Sequence, residues 1–153
     1  MTPHLEAAGI HPWQRLTCPK ERFFKPKKVA IESNPLEETE QLTVVDWLRM
    51  HKIRFHASPN GGLRHPAVAM KMKRMGCSPG FPDIIIVGRP PIVENGLIYV
   101  GTAIEMKRRK TGTVSPEQKD WLSALKELGW ACCVARGSDS AIHFLKSLGY
   151  GGR

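Results

Sequence analysis

The chain reads as an α/β protein: a mixed β-sheet with helices on its faces, preceded by a basic arm. Three observations predict this. Segments with helical spacing of apolar residues alternate with short β-branched runs, in the order helix, strand, helix, two or three strands, helix, strand, helix. The dipeptide Asn95-Gly96 joins two of those runs and is a strong hairpin turn, so part of the sheet is antiparallel. The 153 residues are 41% apolar, enough for a single domain to bury a core.

Residues 1–34 carry scattered prolines and basic residues ("CPKERFFKPKK") without periodicity, and read as an arm, extended or partly disordered. It either touches a polyanion or a partner subunit, or is a solvated tail. The domain proper spans 35–150. Its first helix is "NPLEETEQLTVVDWLRMHKI", with Asn34 as cap and Pro35 in the first turn. Val44, Val45 and Leu48 form its apolar stripe, which Glu37 and Gln41 extend upward. "IRFHAS" is a short strand, "PNGGLRH" a turn, and "PAVAMKMKRMG" a basic helix stopped by Gly76.

In "CSPGFPD" two prolines and Gly80 fix the approach to Asp83. Ile84 to Val87 is an unbroken β-branched run, the pattern of a strand covered on both faces. Across the Asn95-Gly96 turn, Leu97 to Lys107 is its antiparallel neighbour. "SPEQKDWLSALKELG" is the clearest helix: Ser115 caps it, Pro116 takes its first position, and Gln118 completes a capping box. Trp121, Leu122, Leu125 and Leu128 form its core stripe. "WACCVAR" is a strand in which Cys132 and Cys133 point to opposite faces, and "SDSAIHFLKSLG" is a closing helix.

A formal charge of +9 points to a polyanionic partner, nucleic acid first and anionic membrane second, although basic proteins that bind neither also exist. No stretch reaches transmembrane length, and the N-terminus lacks the basic head and apolar run of a secretory signal. Cys18, Cys77, Cys132 and Cys133 form no CxxC pair and read as reduced thiols, consistent with a cytoplasmic protein. Of the histidines only His56, beside the Asn60 turn, draws attention. Trp121 and Trp130 read as core, and Trp47 as core or interface.

Chemistry concentrates in "GFPDIIIV" and "AIEMKRR". Side chains alternate along a strand, so Glu105 and Lys107 share a face, with α-carbons ~7 Å apart, and Met106 points the other way. Hairpin pairing brings Asp83 beside Glu105 across the ladder. Two carboxylates that close repel unless a cation lies between them. Oxygen ligands of this kind suit Mg²⁺ or Mn²⁺, and Lys107 adds a positive charge for an attacking water or a phosphate. The same spacing also fits a surface salt bridge at a strand end. Two basic clusters are placed to contact phosphates, Lys71, Lys73 and Arg74 on the second helix and Arg108, Arg109 and Lys110 after the strand that ends at Lys107; both also fit solvated surface.

The ordered set "LEETEQLTVVDWL", "SPNGGLR", "GCSPGFPDIII", "AIEMK" and "SPEQKDWLSALKELGW" resembles the PD-(D/E)XK nuclease superfamily, and more narrowly its virus-type replication-repair nuclease (VRR-NUC) domain, over about residues 36 to 145. The resemblance implies a restriction-endonuclease-like core of αβββαβ type. It implies a Mg²⁺- or Mn²⁺-dependent nuclease in which Asp83 and Glu105 are metal-binding carboxylates, the Met106 carbonyl is a further ligand, and Lys107 is the catalytic lysine. Glu37 matches the family's helical glutamate, with Glu40 as a rival; Glu37 shares a face with Gln41, Val44 and Leu48. Gln118 matches a glutamine of the site, beside its capping role. In the family the turn at Asn60 lies near the active site, so Asn60 is expected to contact nucleic acid; turn geometry alone also explains it. Stand-alone members act as homodimers on branched DNA such as four-way junctions, so the resemblance implies a phage or prophage endonuclease working in a bacterial cytoplasm, with no membrane partner. The alternative is a nucleic-acid-binding protein on a nuclease-like scaffold without turnover.

Overall fold

The computed structural model describes residues 35–58, 65–92 and 98–152. Among the described residues eight elements follow one another: α1 (Glu37–Met50), β1 (Phe55–Ala57), α2 (Pro66–Arg74), β2 (Ile84–Val87), β3 (Gly101–Lys107), α3 (Pro116–Glu127), β4 (Ala131–Arg136) and α4 (Ser138–Ser147). The strands form one sheet in the order β1-β2-β3-β4. β1 and β2 pair antiparallel, as do β2 and β3, whereas β3 and β4 run parallel because α3 carries the chain back across one face. This is the mixed, helix-flanked sheet the sequence predicts.

Alternation along the strands divides the core in two. Ile84, Ile86, Ile104, Met106 and Cys133 pack with Val44 and Leu48 of α1 and Ala141, Phe144 and Leu145 of α4. Ile85, Ala103 and Cys132 face the other way, against Leu122 and Leu125 of α3. Cys132 and Cys133 thus lie on opposite faces, and burial pushes the Cys132 thiol up to about 12. All of β3 is buried. A strand this enclosed carries Glu105 and Lys107 into the interior together with its apolar residues.

Several sequence expectations shift. The N-cap of α1 is Leu36, which offers no side-chain cap; Glu37, Glu38 and Glu40 in the first turn supply favourable charge instead. β3 begins at Gly101 rather than Leu97, where Trp130 lies so close that a β-carbon would fall 2.5 Å from its ring. Val87, at the end of the ladder opposite Gly101, is exposed although the rest of its run is covered. Leu128 leaves the α3 stripe: the helix ends at Glu127, and the turn through Gly129 into β4 swings Leu128 into solvent. Trp121 and Trp130 are half-buried. The arm, the Asn34 cap, the Asn60 turn and the Asn95-Gly96 turn lie outside the described residues.

The loop before β2 is held by contact. Gly80 adopts φ +78°, and a β-carbon there would lie 2.6 Å from the Glu117 carbonyl carbon and 2.7 Å from the Gln118 nitrogen. Only glycine combines this backbone with so close an approach to the first turn of α3. Gly80→Ala is expected to destabilise the protein by about 2 kcal/mol or more, read as a lower urea midpoint at unchanged slope; a loss under about 0.5 kcal/mol would contradict the packing described.

Candidate active site

The β2–β3 register pairs Ile84 with Ile104, and continuing it by one step sets Asp83 opposite Glu105. Cross-strand neighbours share a face, so both carboxylates and Lys107 lie on the α3 side, and all three are buried. Asp83 Oδ2 accepts a 2.8 Å hydrogen bond from the Met106 backbone N–H. Lys107 Nζ donates to Glu105 Oε1 at 2.7 Å and to the Met106 carbonyl at 2.8 Å, and lies 3.6 Å from Glu37 Oε1. Carboxylates from α1 and β3 therefore meet around one ammonium, with Asp83 tied to the Met106 backbone N–H.

α3 adds Gln118, whose two roles coexist. Ser115 Oγ accepts from the Gln118 backbone N–H at 3.2 Å, and Gln118 Oε1 accepts from the Ser115 N–H at 2.9 Å. With its oxygen committed to the cap, the amide turns its Nε2 to Glu105 Oε1, to which it donates. The cap thus orients the site.

Glu105 is the electrostatic focus. Burial, reinforced by the charges of Asp83 and Glu37, pushes its carboxyl up to about 7, against the opposing hydrogen bond and charge of Lys107. Burial pulls Lys107 down, but Glu105, Glu37 and Asp83 more than offset this and raise it. Glu105 Oε2 is buried with no hydrogen-bond partner among the described residues. A divalent cation implied by the resemblance fits this donor set: two hard carboxylates, one of them with an oxygen left without a partner, and a main-chain carbonyl. Among the described residues no three carboxylate, imidazole or thiol groups converge as a ready-made cage. The Lys107 ammonium stands where Glu105, Glu37 and the Met106 carbonyl come together.

The structure separates the two acids of α1. Glu37 reaches Lys107, whereas Glu40 is turned away and buried. Glu40 accepts from Arg109 Nε at 2.5 Å, from the Ser138 backbone N–H at 2.7 Å and from Ser138 Oγ at 2.6 Å. Arg109 Nη1 also donates to Asp139 at 2.7 Å. Arg109, expected among the phosphate contacts, has its guanidinium matched here by two carboxylates. Sequence reasoning missed this network because its partners come from α1 and α4. The one local hint is Gly137 with φ +84°, beside which Arg109 passes. Of the remaining basic residues, Lys71, Lys73 and Arg74 are exposed on α2, Arg108 is half-buried after β3, and Lys110 is exposed beyond it. Asn60 lies outside the described residues. His56 is exposed on β1.

The family model described as "VRR-NUC domain" matches residues 26–139. Among solved structures, a VRR_NUC domain protein is similar at 29% identity, over 73% of this chain and 86% of its own, with a TM-score of 0.58. None of the curated proteins matches.

Burial pushes the Glu40 carboxyl up, but hydrogen bonds from Arg109 and Ser138 and the charge of Arg109 outweigh it and hold its pKa at about 2, below the ordinary 4.5. A depressed carboxylate stabilises the fold fully above 4.5, and that contribution is lost as pH falls from 4.5 towards 2. Glu40→Gln is therefore expected to cost on the order of 3 kcal/mol at pH 7. Urea unfolding at pH 7 and pH 3 should show the gap between wild type and variant shrinking at the lower pH; an equal gap at both would contradict it.

Proposed function

The chain belongs to the VRR-NUC domain family, which has a nuclease-type fold, and on that premise we propose that it is a divalent-metal-dependent DNA endonuclease acting on branched DNA as a homodimer. One observation carries the catalytic part: two buried carboxylates, Asp83 just before β2 and Glu105 on β3, come opposite one another in register, and one of them keeps an oxygen without a partner among the described residues. A purely structural salt bridge does not require that second carboxylate or that orphaned oxygen. The preference for branched DNA and the dimer carry over from the resemblance.

In this reading Asp83, Glu105 and the Met106 carbonyl would hold Mg²⁺ or Mn²⁺, and Glu37 would add a carboxylate from α1. When bound, the metal supplies positive charge at the phosphate and lowers the pKa of water. Asp83 is aimed by the Met106 N–H and Glu105 by Gln118, so both carboxylates are pre-oriented. Lys107, whose ammonium lies against Glu105 and the Met106 carbonyl, would orient the attacking water or the phosphate. Water attacks phosphorus and gives up one proton, the bond to one bridging oxygen breaks, and a proton is returned to that oxygen as it leaves, so one water is consumed per bond cut. The enclosed strand keeps these charges in a region of low dielectric, where each counts for more than in water.

Labelled linear, flap and four-way-junction DNA, incubated with Mg²⁺ or Mn²⁺, tests the proposal. Wild type is expected to cut in either metal and not in EDTA. Asp83→Ala and Lys107→Ala should each lower the rate by about 10²- to 10⁴-fold while binding changes little. If wild type binds but never cuts, and Asp83→Ala binds equally well, the non-catalytic scaffold is the correct reading.

A further inference from the structure

We propose that the groove between α2 and the first turns of α3 receives an unpaired nucleobase of the DNA strand, next to the bond that is cut; this rests on the nuclease reading above. The groove encloses about 970 Å³, at the upper end of the range of small-molecule sites. Its walls are Met70 and Met72 of α2, Phe81 of the loop, and Trp121 and Gln118 of α3, with Lys73 at its border. Phe81 and Trp121 meet edge-to-face, ring centroids 5.1 Å apart and planes at 82°. Thioethers and aromatic rings are the surfaces on which a base's π-face rests without regard to its identity.

Two further observations choose the occupant. α2 buries none of its side chains, and it exposes Val68, Met70 and, just beyond its end, Met75 beside Lys71, Lys73 and Arg74. An apolar strip without acidic residues and with three cations matches a ligand that is flat and apolar in part and anionic in part. A second copy of the same cationic helix would meet like charge and is disfavoured. The groove is also continuous with the site: Gln118 lines it and donates to Glu105, and Phe81 stands two residues before Asp83. A base within a duplex stays stacked on its neighbours, so only an unpaired one enters at low cost. The groove therefore selects unpaired nucleotides beside the cleaved bond, as at branch points and flaps.

Met70 is 66% exposed and Val68 49% exposed, and Val68 lies outside the groove. Met70→Glu and Val68→Glu place the same charge on one helix, inside and outside the groove, with little risk to folding. Binding is measured in EDTA, where no cutting intervenes, to a forked DNA bearing 2-aminopurine at its first unpaired position and to the matching full duplex. Met70→Glu should weaken fork binding at least about tenfold and abolish the 2-aminopurine fluorescence change, an effect of the size expected for one lost stacking contact. It should change duplex binding no more than Val68→Glu does. Equal losses for the two variants on the fork, equal losses on fork and duplex, or a mass halved by Met70→Glu in light scattering would each overturn the proposal, the last by showing a second copy in the groove. A wild type that distinguishes fork from duplex here yet cuts no DNA with metal would remove the nuclease reading and leave the base site standing.

Discussion

The pairing of Ile84 with Ile104 is the constraint on which the rest of the site depends. Side chains alternate with a period of two, so a slip of one residue would send Asp83 and Glu105 to opposite faces of the sheet. The alternating burial of Ile84, Ile85 and Ile86 between two apolar clusters makes that slip costly, because it would turn each isoleucine out of its place. The core therefore fixes the site. Once fixed, it holds two carboxylates where water is scarce, and a single ammonium only partly compensates them. Glu105, raised to about 7 and left with an orphaned oxygen, is where that incomplete compensation is visible. Folding alone does not call for such an arrangement; the cation proposed above would.

The exit from β3 serves two networks at once. Lys107 turns to Glu105, Glu37 and the Met106 carbonyl. Two residues on, Arg109 turns to Glu40 and Asp139. Residues three apart on a helix are neighbours, so Glu37 and Glu40 face the same region of the sheet, yet they do different work. Glu40 lies where α1 meets the start of α4 and satisfies the Ser138 N–H, an otherwise uncapped donor at that helix end. Glu37, one turn nearer the start of α1, is less buried and its nearest cation is Lys107. The Arg109 tie holds α1 against α4 and the β3 exit, and so keeps Glu37 at the mouth of the site.

Signals spanning a few residues were legible in the sequence. The Ser115–Gln118 capping box, the β-branched run of β2, the opposed faces of Cys132 and Cys133, and the two acids with their lysine all rest on helical or strand periodicity. What escaped depends on distant partners. Arg109 looked like part of a basic run because its carboxylates lie 69 and 30 residues away in sequence. Leu128 continued a stripe that the helix itself did not continue. Helical spacing favours Glu37 over Glu40 without showing what Glu40 does, and its burial beside Ser138 supplies that. Periodicity says which face a side chain is on but not what has been folded against that face.

Gln118 shows how closely local and distant demands are joined. Gly80, with no β-carbon, lets the loop before Asp83 rest directly on the first turn of α3. That contact brings a capping glutamine to the carboxylates rather than leaving it at a remote helix end. The amide's oxygen is spent on the Ser115 N–H, so its nitrogen must face Glu105. The same side chain borders the groove in which Phe81 and Trp121 stand. Helix capping, carboxylate orientation and the wall of a neighbouring groove thus converge on one residue, because a single glycine allows two backbones to touch. The buried charges are held by packing and by a helix terminus already satisfied for its own reasons, so little has to be added to the fold to make a site of it.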